Sequence, residues 1–344
     1  MKILFLGDLL YDYNTINDDI EKLSEFIKQN EYYTVVNLEA PLKSNEQLKK
    51  WINLANSNLV VDVLKKLNVV AVNLANNHIL DWGPEGLNNL IKALKNNNIT
   101  YFGAGMNTDE AQQHKVITLN GKKIGFIGAG WDVEMCVYSK RNKAGVAPLS
   151  NKKLSKQIEE MRNEVDYSIV NLHWGYEYEL YPLPVHRRLA HNLVDIGADI
   201  IIGHHAHIVQ AYELYKGRSI FYGLGNFYFG SRRELFNQNK NNRTASIFSR
   251  YGLGVCWDVE NDLIENIYFC SENSQTIICE PFELEDISDI PMMNYNRFFA
   301  NNRTSTRKPS LYMGRFNSIL NYLKVKKFNS LLYVKKKIKQ FINR

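Results

Sequence analysis

The sequence predicts an α/β protein with largely parallel central sheets flanked by helices, antiparallel additions and a helical tail at the C-terminus. Short apolar runs alternate with segments of helical periodicity along most of the chain, which is the pattern of successive strand–helix–strand units. The chain has 344 residues, enough for one large layered domain of about 250–280 residues with appendages.

The first hundred residues predict three strand–helix pairs. Each strand is predicted from consecutive apolar residues, and each helix from apolar residues that recur every three to four positions. The predicted order is a strand in KILFLG, a helix near 18–29, a strand in YTVVNLE, a helix near 58–67, a strand in VVAVNLANN and a helix near 84–97.

The second part of the chain continues the alternation and adds hairpins. In KVITLNGKKIGFIGAG, the dipeptide Asn120-Gly121 predicts a two-residue hairpin turn. The other predicted elements are strands in ITYFGAG, YSIVNLHWG, ADIIIGHHAH and AYELYKGRSIFYGLGNF, helices near 150–163 and 184–196, and a hairpin around 251–270. Arg187 and Arg188 are predicted to lie on a solvated face of the second of these helices.

The composition excludes several classes of protein. Hydrophobic residues make up 45% and charged residues 23%, which is ordinary for soluble globular chains, and no run approaches the ~18 apolar residues of a membrane span. The apolar stretch in MKILFLGD is too short for a signal peptide, so it predicts a buried strand and a cytoplasmic protein. The four cysteines have no CxxC spacing and are predicted to be free.

Polar residues follow the predicted strands where each strand ends. In open α/β sheets ligands bind beyond the carboxyl ends of the strands, so side chains from five separate strand ends are expected to converge on one crevice. We predict that this crevice is a two-metal site. The predicted ligands are Asp8, Glu39, Asn77, His173, His205 and His207.

Each of these residues alone has a simpler explanation. A strand-end carboxylate such as Asp8 commonly caps the following helix, and a lone histidine is commonly a core or surface residue. Five such ends in order favour a metal site. Nitrogen and oxygen ligands without thiolate suit one or two ions of Mn, Fe or Zn, and Glu39 is the predicted bridge between them. A turn is predicted at His205-Ala206-His207, and His204 is predicted to be a supporting or core residue.

Six motifs occur in order along residues 1–230. They are GD at 7–8, NLEAPL at 37–42, NNHILDWG at 76–83, HWGYEY at 173–178, GHHAHIVQ at 203–210 and GNF at 225–227. Together they resemble the CapA family, named for a protein of poly-γ-glutamate capsule synthesis, which looks like a branch of the calcineurin-like metallophosphatase superfamily. The resemblance implies a layered metallophosphatase-like fold and leaves residues 231–344 unexplained.

The resemblance implies a role for each matching residue. In the superfamily a strand-one Asp, a bridging acid, an Asn followed by His, a lone His and a His-x-His pair hold two metals, and these positions match the predicted ligands. The His after the ligand Asn77 is His78, with an implied role in proton donation or transition-state stabilisation, and Asp81 is expected to orient it. The chain departs from the superfamily at Leu10, where phosphatases usually have a histidine that completes the first metal.

Residues beside the predicted ligands are candidates for the substrate pocket or for support of the ligands. Glu177 is predicted to orient His173 or another imidazole and Tyr178 to line the pocket, the alternative being that both only pack the loop. Trp174 is a candidate for lining a groove or stacking on a sugar, the alternative being that it belongs to the core, as single tryptophans more often do. Asn226 follows another strand end and is a weaker pocket candidate.

The C-terminal segment has a different composition. Residues 303–344 contain twelve Lys or Arg and no acid, whereas the rest of the chain has 30 basic and 36 acidic residues. We predict a domain at 1–285, a linker at 286–302 and a basic amphipathic tail at 303–344. Such helices lie on anionic membranes, which would make the protein peripheral at the inner face. The alternatives are docking on the chain's own body or on a partner, and binding of nucleic acid, which is not expected because the body is acidic.

These observations favour one function over two others. The first is a metal-dependent hydrolase, phosphoesterase-like or polymer-acting, in capsule, exopolysaccharide or poly-γ-glutamate biosynthesis. Its expected partners are a surface polymer or its precursor and a polymer-synthesis complex. The second is a non-catalytic, metal-binding component of a polymer synthesis or export machine. The third is a nucleotide or nucleic-acid phosphoesterase.

Overall fold

The structure is a computed structural model that describes residues 1–48, 50, 52–230, 248–272 and 275–304. The strands are, in chain order, β1 (Lys2–Leu10), β2 (Tyr32–Leu38), β3 (Val69–Asn73), β4 (Thr100–Phe102), β5 (Ala104–Gly105), β6 (Lys115–Leu119), β7 (Lys122–Gly130), β8 (Gly145–Val146), β9 (Tyr167–His173), β10 (Ile200–His204), β11 (Tyr212–Tyr215), β12 (Arg218–Phe221), β13 (Asn226–Phe229), β14 (Tyr251–Asp258), β15 (Leu263–Glu272) and β16 (Gln275–Ile278). The helices are α1 (Asp18–Gln29), α2 (Val60–Lys66), α3 (Gly83–Asn96), α4 (Thr108–Gln112), α5 (Asn151–Met161), α6 (Pro184–Ile196) and α7 (Met292–Asn302), with a 3-10 turn at Asp132–Glu134.

Two mixed sheets form the centre of the molecule. The first has the order β16-β15-β14-β1-β2-β3-β4, with β13 also paired to β1, and the second has the order β11-β12-β10-β9-β7-β6. Pairing is parallel among β1 to β4 and among β7, β9, β10 and β12, and antiparallel at the outer strands. The predicted α/β class, with parallel sheets and antiparallel additions, is confirmed.

The sheets pack face to face and helices cover their outer faces. In β1, Ile3 and Phe5 pack with residues of the second sheet, whereas Leu4 and Leu6 pack with helices α1 to α3. This alternation follows from the two-residue period of a strand. Helices α5, α6 and α7 cover the outer face of the second sheet in the same way. The order of layers is therefore helix, sheet, sheet, helix.

Helix α3 shows how the sequence pattern produces this packing. Its apolar residues Leu87, Leu90, Ile91 and Leu94 stand at positions i, i+3, i+4 and i+7 and all four are buried in the first core cluster. Each fully buried side chain of this kind contributes about 1.5–3 kcal/mol. Pro84 in the first turn is tolerated because the N–H it lacks would have no helical partner there.

The hairpin between β6 and β7 turns where the sequence predicts. Asn120 and Gly121 both have positive φ, 48° and 80°, as a two-residue turn with the right-handed twist of its strands requires. The hairpin places β7 beside β9, so that the loop after β7 reaches the same sheet edge as His173.

The segment 286–302, predicted as a linker, is instead part of the compact body. Helix α7 occupies its second half, and Tyr295 and Phe299 are buried against α6 in the second core cluster. Ile287 N donates to Tyr212 O at 3.0 Å. The compact unit extends to Arg307. Beyond Thr304 the predicted amphipathic tail lies outside the described residues.

The prediction that Arg187 lies on a solvated helix face is wrong. Its side chain is 1% exposed, and Nε and Nη2 donate to the carboxylate of Glu213 at 3.0 and 2.6 Å. Glu213 also accepts from Tyr222 Oη at 2.6 Å and lies 2.8 Å from His191 Nε2. We call these four residues the arginine cluster. The helical period that buries Ala190 and Val194, three and seven residues further on, also turns Arg187 inward, where it meets an acid on β11.

Candidate metal centre

The carboxyl ends of the parallel strands of both sheets meet at one edge of the molecule. Asp8 lies on β1, Glu39 follows β2, Asn77 follows β3, and His173 ends β9. His205 and His207 follow β10. All six are buried, and we call them the strand-end cluster: Asp8, Glu39, Asn77, His173, His205 and His207.

A bulge in β1 turns Asp8 toward the cluster. The register of β1 with β2 shifts between Leu6 and Asp8, and Asp8 N donates to Gly225 O at 3.0 Å. A Cβ at Gly7 would lie 2.1 Å from Gly225 O, so only glycine allows β13 to approach this closely. The motif Gly7-Asp8 therefore has a structural reason.

Two buried side-chain amides, hydrogen-bonded one to the next, hold the carboxylate of Asp8. Asn37 Nδ2 donates to Asp8 Oδ1 at 2.8 Å, and Asn73 Nδ2 donates to Asn37 Oδ1 at 2.9 Å. Ala75 N donates to Asn73 Oδ1 at 3.2 Å, which fixes the orientation of both amides. A Cβ at Gly128 would lie 2.4 Å from Asn73 Oδ1, so glycine at this position of the second sheet is what leaves room for the two amides. Oδ1 of Asp8 is thereby held by the amides, and Oδ2 faces His205 N and His207 Nδ1.

Three polar atoms of the cluster converge more closely than the rest. Asn77 Oδ1 lies 2.9 Å from His173 Nε2, which lies 3.1 Å from His205 Nδ1. Side-chain ligand atoms of Asp8, Glu39 and His173 all lie within 4.8 Å of one another. Two ligand atoms bound to one ion by bonds of ~2.1 Å stand about 3.0–3.4 Å apart. The donor set therefore fits a divalent cation.

The carboxylate of Glu39 supports the same fit. It is 0% exposed, and among the described residues neither of its oxygens has a hydrogen-bond partner. The nearest ring nitrogens, His78 Nε2 and His207 Nε2, are each 4.0 Å from Oε1. Burial, followed by the charge of Asp8, raises the pKa of Glu39 well above its usual range. A buried carboxylate without donors is costly unless a cation compensates it.

The imidazole of His173 is in the protonation state that metal binding requires. Burial, followed by the neighbouring rings of His205 and His204, lowers its pKa well below the usual range. The ring is therefore neutral at physiological pH and keeps a lone pair for coordination. Burial raises the pKa of Asp8, but hydrogen bonding to His204 and the charge of His207 outweigh it, so that the pKa is lowered and Asp8 is ionised.

The segment His205-Ala206-His207 makes a turn, as the sequence analysis expects. His205 and His207 both have left-handed backbone conformations, with φ of 90° and 55°, and their ring centroids are 6.1 Å apart. Such conformations cost about 1–3 kcal/mol each and cluster at functional sites. Here the turn aims His205 at His173 and His207 at Asp8, whose Oδ2 is 3.4 Å from His207 Nδ1.

His78 and Asp81 form a pair at the rim of the cluster. His78 Nδ1 lies 2.6 Å from Asp81 Oδ2, and this carboxylate also accepts from Leu54 N at 2.8 Å and from Lys50 Nζ at 2.6 Å. Burial lowers the pKa of His78 despite the opposing effect of Asp81. His78 Nε2 is left facing Glu39.

The chain belongs to a known family. The family described as bacterial capsule synthesis protein PGA_cap matches residues 2–231. This chain is a PGA_cap protein. It is similar to the capsule biosynthesis protein CapA of Bacillus anthracis, 33% identical over 216 residues, which cover 60% of this chain and 52% of that protein. It is also similar to the PGA biosynthesis protein CapA of Bacillus subtilis, 34% identical over 216 residues, which cover 62% and 57%.

The chain thus spans about half the length of the curated relatives it matches. Among solved structures it is similar to a putative 5'-nucleotidase of Staphylococcus aureus. That likeness has a TM-score of 0.49 at 14% identity and covers 87% of this chain and 58% of the other.

The remaining predicted residues of this PGA_cap protein surround the cluster in supporting positions. His204 is buried between Asn171, whose Oδ1 is 3.3 Å from Nε2, and Asp8, whose Oδ1 is 3.5 Å from Nδ1. Asn226 Oδ1 lies 2.9 Å from His207 Nδ1. Trp174 is buried in the second core cluster and its indole N–H donates to Tyr222 O at 2.9 Å, so its position fits a core residue and not one that stacks on a sugar.

The loop after His173 touches the His-Ala-His turn. Tyr178 N donates to Ala206 O at 2.9 Å, and Tyr178 itself has a left-handed φ of 60°. Glu177 is half-buried, and its charge adds to burial and to Asp8 in raising the pKa of Glu39. Tyr178 therefore contacts the turn through its backbone, and Glu177 acts on Glu39 through its charge.

Several residues of this site were not predicted from the sequence. Lys50 Nζ donates to Asn77 O and to Asp81, but Lys50 lies in a polar loop and its sequence context gives no signal of this role. Glu134, in the 3-10 turn, is buried with Oε2 3.6 Å from His205 Nε2. The rule that polar residues gather at strand ends would have found Glu134, which lies four residues beyond β7. Asn37 and Asn73 lie inside apolar strands. An amide inside an apolar strand is the sequence signal that could have identified them.

The position of the missing phosphatase histidine is apolar in this PGA_cap protein. Leu10 is buried in a small cluster with Ala40, Leu54 and Phe229. The ring of Phe229 meets His207 edge-on with centroids 5.0 Å apart. The side of the site formed by Asp8 and His207 is therefore closed by hydrocarbon.

Proposed function

We propose that this PGA_cap protein is a metal-dependent hydrolase that acts on a surface polymer or its precursor in capsule or poly-γ-glutamate biosynthesis. One observation carries the proposal: the buried carboxylate of Glu39 faces a convergent set of ligand atoms, Asn77 Oδ1, His173 Nε2 and His205 Nδ1. The names of the two CapA relatives support the biosynthetic setting. The three convergent donors and Glu39 would hold one divalent ion.

The bound ion would supply an activated water and polarise the bond to be cleaved. His78 does the part that falls to the protein itself. Its Nδ1 is anchored on Asp81, and its Nε2 points toward the cluster, where the ring in its protonated form would give a proton to a leaving group or stabilise developing charge. Lys50 and Leu54 N hold the carboxylate of Asp81, so that the histidine has one ring orientation.

The test measures metal content and turnover together. Purified protein loaded with Mn is assayed on phosphomonoesters, phosphodiesters, γ-glutamyl polymers and glycans, with elemental analysis of the same samples. We expect His78→Ala to lower kcat at least about 100-fold while bound metal stays unchanged, as general acid catalysts contribute ~10²–10⁴-fold. His114→Ala is the matched control, because His114 pairs with Glu164 away from the cluster. Full metal occupancy without turnover of any substrate would refute the hydrolase.

A second candidate is a non-catalytic, metal-binding component of a polymer synthesis machine. The apolar surroundings of Leu10 favour it, because they leave Asp8 and His207 without the ligand that phosphatases have at this position. The stoichiometry of bound metal also bears on this candidate. One ion per chain, held by Asn77, His173 and His205 and insensitive to Asp8→Asn, together with no turnover, would support it.

We further propose that residues 303–344 attach the protein to an anionic membrane, at the inner face if the protein is cytoplasmic. The absence of acidic residues in this segment supports this. At its start Thr304 N donates to Glu179 Oε1 at 2.9 Å and Thr304 Oγ1 to Tyr178 O at 3.0 Å, close in sequence to the ligand His173. Within the described residues no helix is long and apolar enough to cross a membrane.

Liposome sedimentation tests the attachment. Full-length protein should sediment with vesicles containing phosphatidylglycerol at physiological salt and not with neutral vesicles. A chain ending at Arg307, where the compact unit ends, should lose this binding. Equal sedimentation of both proteins would contradict the proposal.

A further inference from the structure

Glu134 is a buried carboxylate beside the strand-end cluster. It ends the 3-10 turn that follows β7, and its side chain is 3% exposed. Oε2 lies 3.6 Å from His205 Nε2. An ionisable side chain is rarely buried this deeply unless a partner compensates it.

The two nitrogens of the His205 ring face different partners. Nδ1 lies 3.1 Å from His173 Nε2 and points to the convergent donors, whereas Nε2 faces Glu134. If Nδ1 is the ligand atom, Nε2 must carry the proton, and a carboxylate on that side holds it there.

The turn that carries Glu134 is built onto the site. Trp131 N donates to the backbone oxygen of His173 at 3.0 Å, and Glu134 N lies 3.3 Å from Trp131 O. Met135 then reverses the chain in a left-handed conformation with φ of 65°. The backbone of one ligand thus fixes the turn, and the turn delivers its acid to another.

We propose that Glu134 is the positioning residue for His205: it holds the proton on Nε2, keeps the Nδ1 lone pair aimed at the ion, and so raises the affinity of the centre for a divalent cation. This inference rests on the metal centre of the proposed function, and not on hydrolysis. Glu134 acts through His205 and does not touch substrate.

The experiment compares metal affinity in Glu134→Gln, Glu134→Ala and a matched control. Asp132→Asn removes a carboxylate from the same turn, where it accepts from Tyr138 Oη at 3.0 Å rather than facing a ligand. The dissociation constant for Mn or Zn is measured by calorimetry with a competing chelator. We expect both Glu134 variants to bind the metal about 10–100-fold more weakly, which is the usual loss when a residue that supports a metal ligand is replaced. The control should stay within about twofold of wild type.

A second readout separates positioning from a role in packing. Nitrogen NMR of the zinc-loaded protein should show the His205 proton on Nε2 in wild type and exchange broadening or loss of that signal in Glu134→Ala. A residue that only packs would lower the thermal stability of the metal-free protein and leave affinity and the NMR signal unchanged. Unchanged affinity in both Glu134 variants, or an equal loss in the control, would overturn the proposal.

The outcome is distinguishable from failure of the proposed function. Wild type that binds metal but hydrolyses nothing, with weakened binding in Glu134→Gln, would refute the hydrolase and support the role of Glu134. Wild type that hydrolyses a substrate, with unchanged metal affinity in Glu134→Gln, would support the hydrolase and refute the role of Glu134. Wild type that binds neither Mn nor Zn would refute both.

Discussion

The strand-end cluster and the arginine cluster are both buried and both charged, yet they differ in how their carboxylates are paired. Glu213 accepts from two nitrogens of Arg187 and from the Tyr222 hydroxyl, and it also contacts His191. Glu39 is equally buried, but among the described residues its two oxygens have no hydrogen-bond donor. The first carboxylate is compensated by the protein itself, whereas the second has no such donor among the described residues, and we propose that a cation compensates it.

This difference separates a structural ion pair from a binding site. A satisfied buried pair stabilises one conformation only if both partners are present. An unsatisfied carboxylate destabilises the empty protein, and binding of a cation reverses that cost. Both carboxylates are buried, so it is the missing donor at Glu39 that points to a ligand.

Removal of Arg187 should produce the largest loss of stability. Arg187→Met leaves the charge of Glu213 buried with one cation fewer, so we expect the free energy of unfolding to fall by about 3–5 kcal/mol. Denaturant unfolding with and without Mn measures it, and the loss should be the same in both. Arg188→Met, at the neighbouring half-buried position, should change stability by less than ~0.5 kcal/mol. A loss below ~1 kcal/mol for Arg187→Met would remove the distinction drawn between the clusters.

Neutralising Glu39 should have effects of opposite sign on stability and binding. Glu39→Gln removes a carboxylate that lacks donors, so the melting temperature of the metal-free protein should stay the same or rise. Affinity for Mn should fall at least about 100-fold, equivalent to ~2.7 kcal/mol. Glu213→Gln is the comparison, and it should lower the melting temperature while leaving affinity unchanged. If Glu39→Gln destabilised the metal-free protein as much as Glu213→Gln does, Glu39 would be structural.

The smallest of the three effects should be the pH dependence of stability that comes from Glu213 in the arginine cluster. Burial alone raises the pKa of Glu213, but its contacts with His191, Arg187 and Tyr222 outweigh burial, so the pKa is lowered on folding. The unfolded chain therefore binds more protons, and this contribution to stability is present above the unfolded pKa of about 4.3 and lost as pH falls through the folded pKa. The stability difference between wild type and Glu213→Gln should thus be largest near neutral pH and shrink below about pH 4. A difference that grows toward acid pH would contradict the assigned direction.

Much of the site was accessible from the sequence because strand ends carry local signals. Asp8, Glu39, Asn77 and His173 each follow an apolar run, and parallel strands bring such positions to one edge. His78 and Asp81 follow from the motif that contains Asn77. The structure places all of them around one centre, although their assignment as ligands and catalytic residues stays a prediction. The resemblance to the CapA family was correct, as the PGA_cap match shows.

Residues that meet only through tertiary packing were missed. Lys50 lies 31 positions before Asp81 in the chain, and Glu134 follows a strand of the second sheet whereas Glu39 follows a strand of the first. Arg187 was misassigned because a charged residue in a helical pattern is expected to face solvent. The pattern does not show that an acid on β11 lies within hydrogen-bonding distance of this position. The linker prediction for 286–302 failed because the helical spacing of Met292, Tyr295 and Phe299 does not by itself show that α7 packs against α6.

The sequence by itself determined the α/β class, the order of its elements, the family and the strand ends on which the candidate ligands lie. Those properties depend on local periodicity and on the rule that parallel strands share an edge. Only the tertiary structure decided which buried charge has a partner, because hydrogen-bond donors come from distant segments. It is that pairing which leaves Glu39 without a donor, places Glu134 behind His205 and closes the side near Leu10.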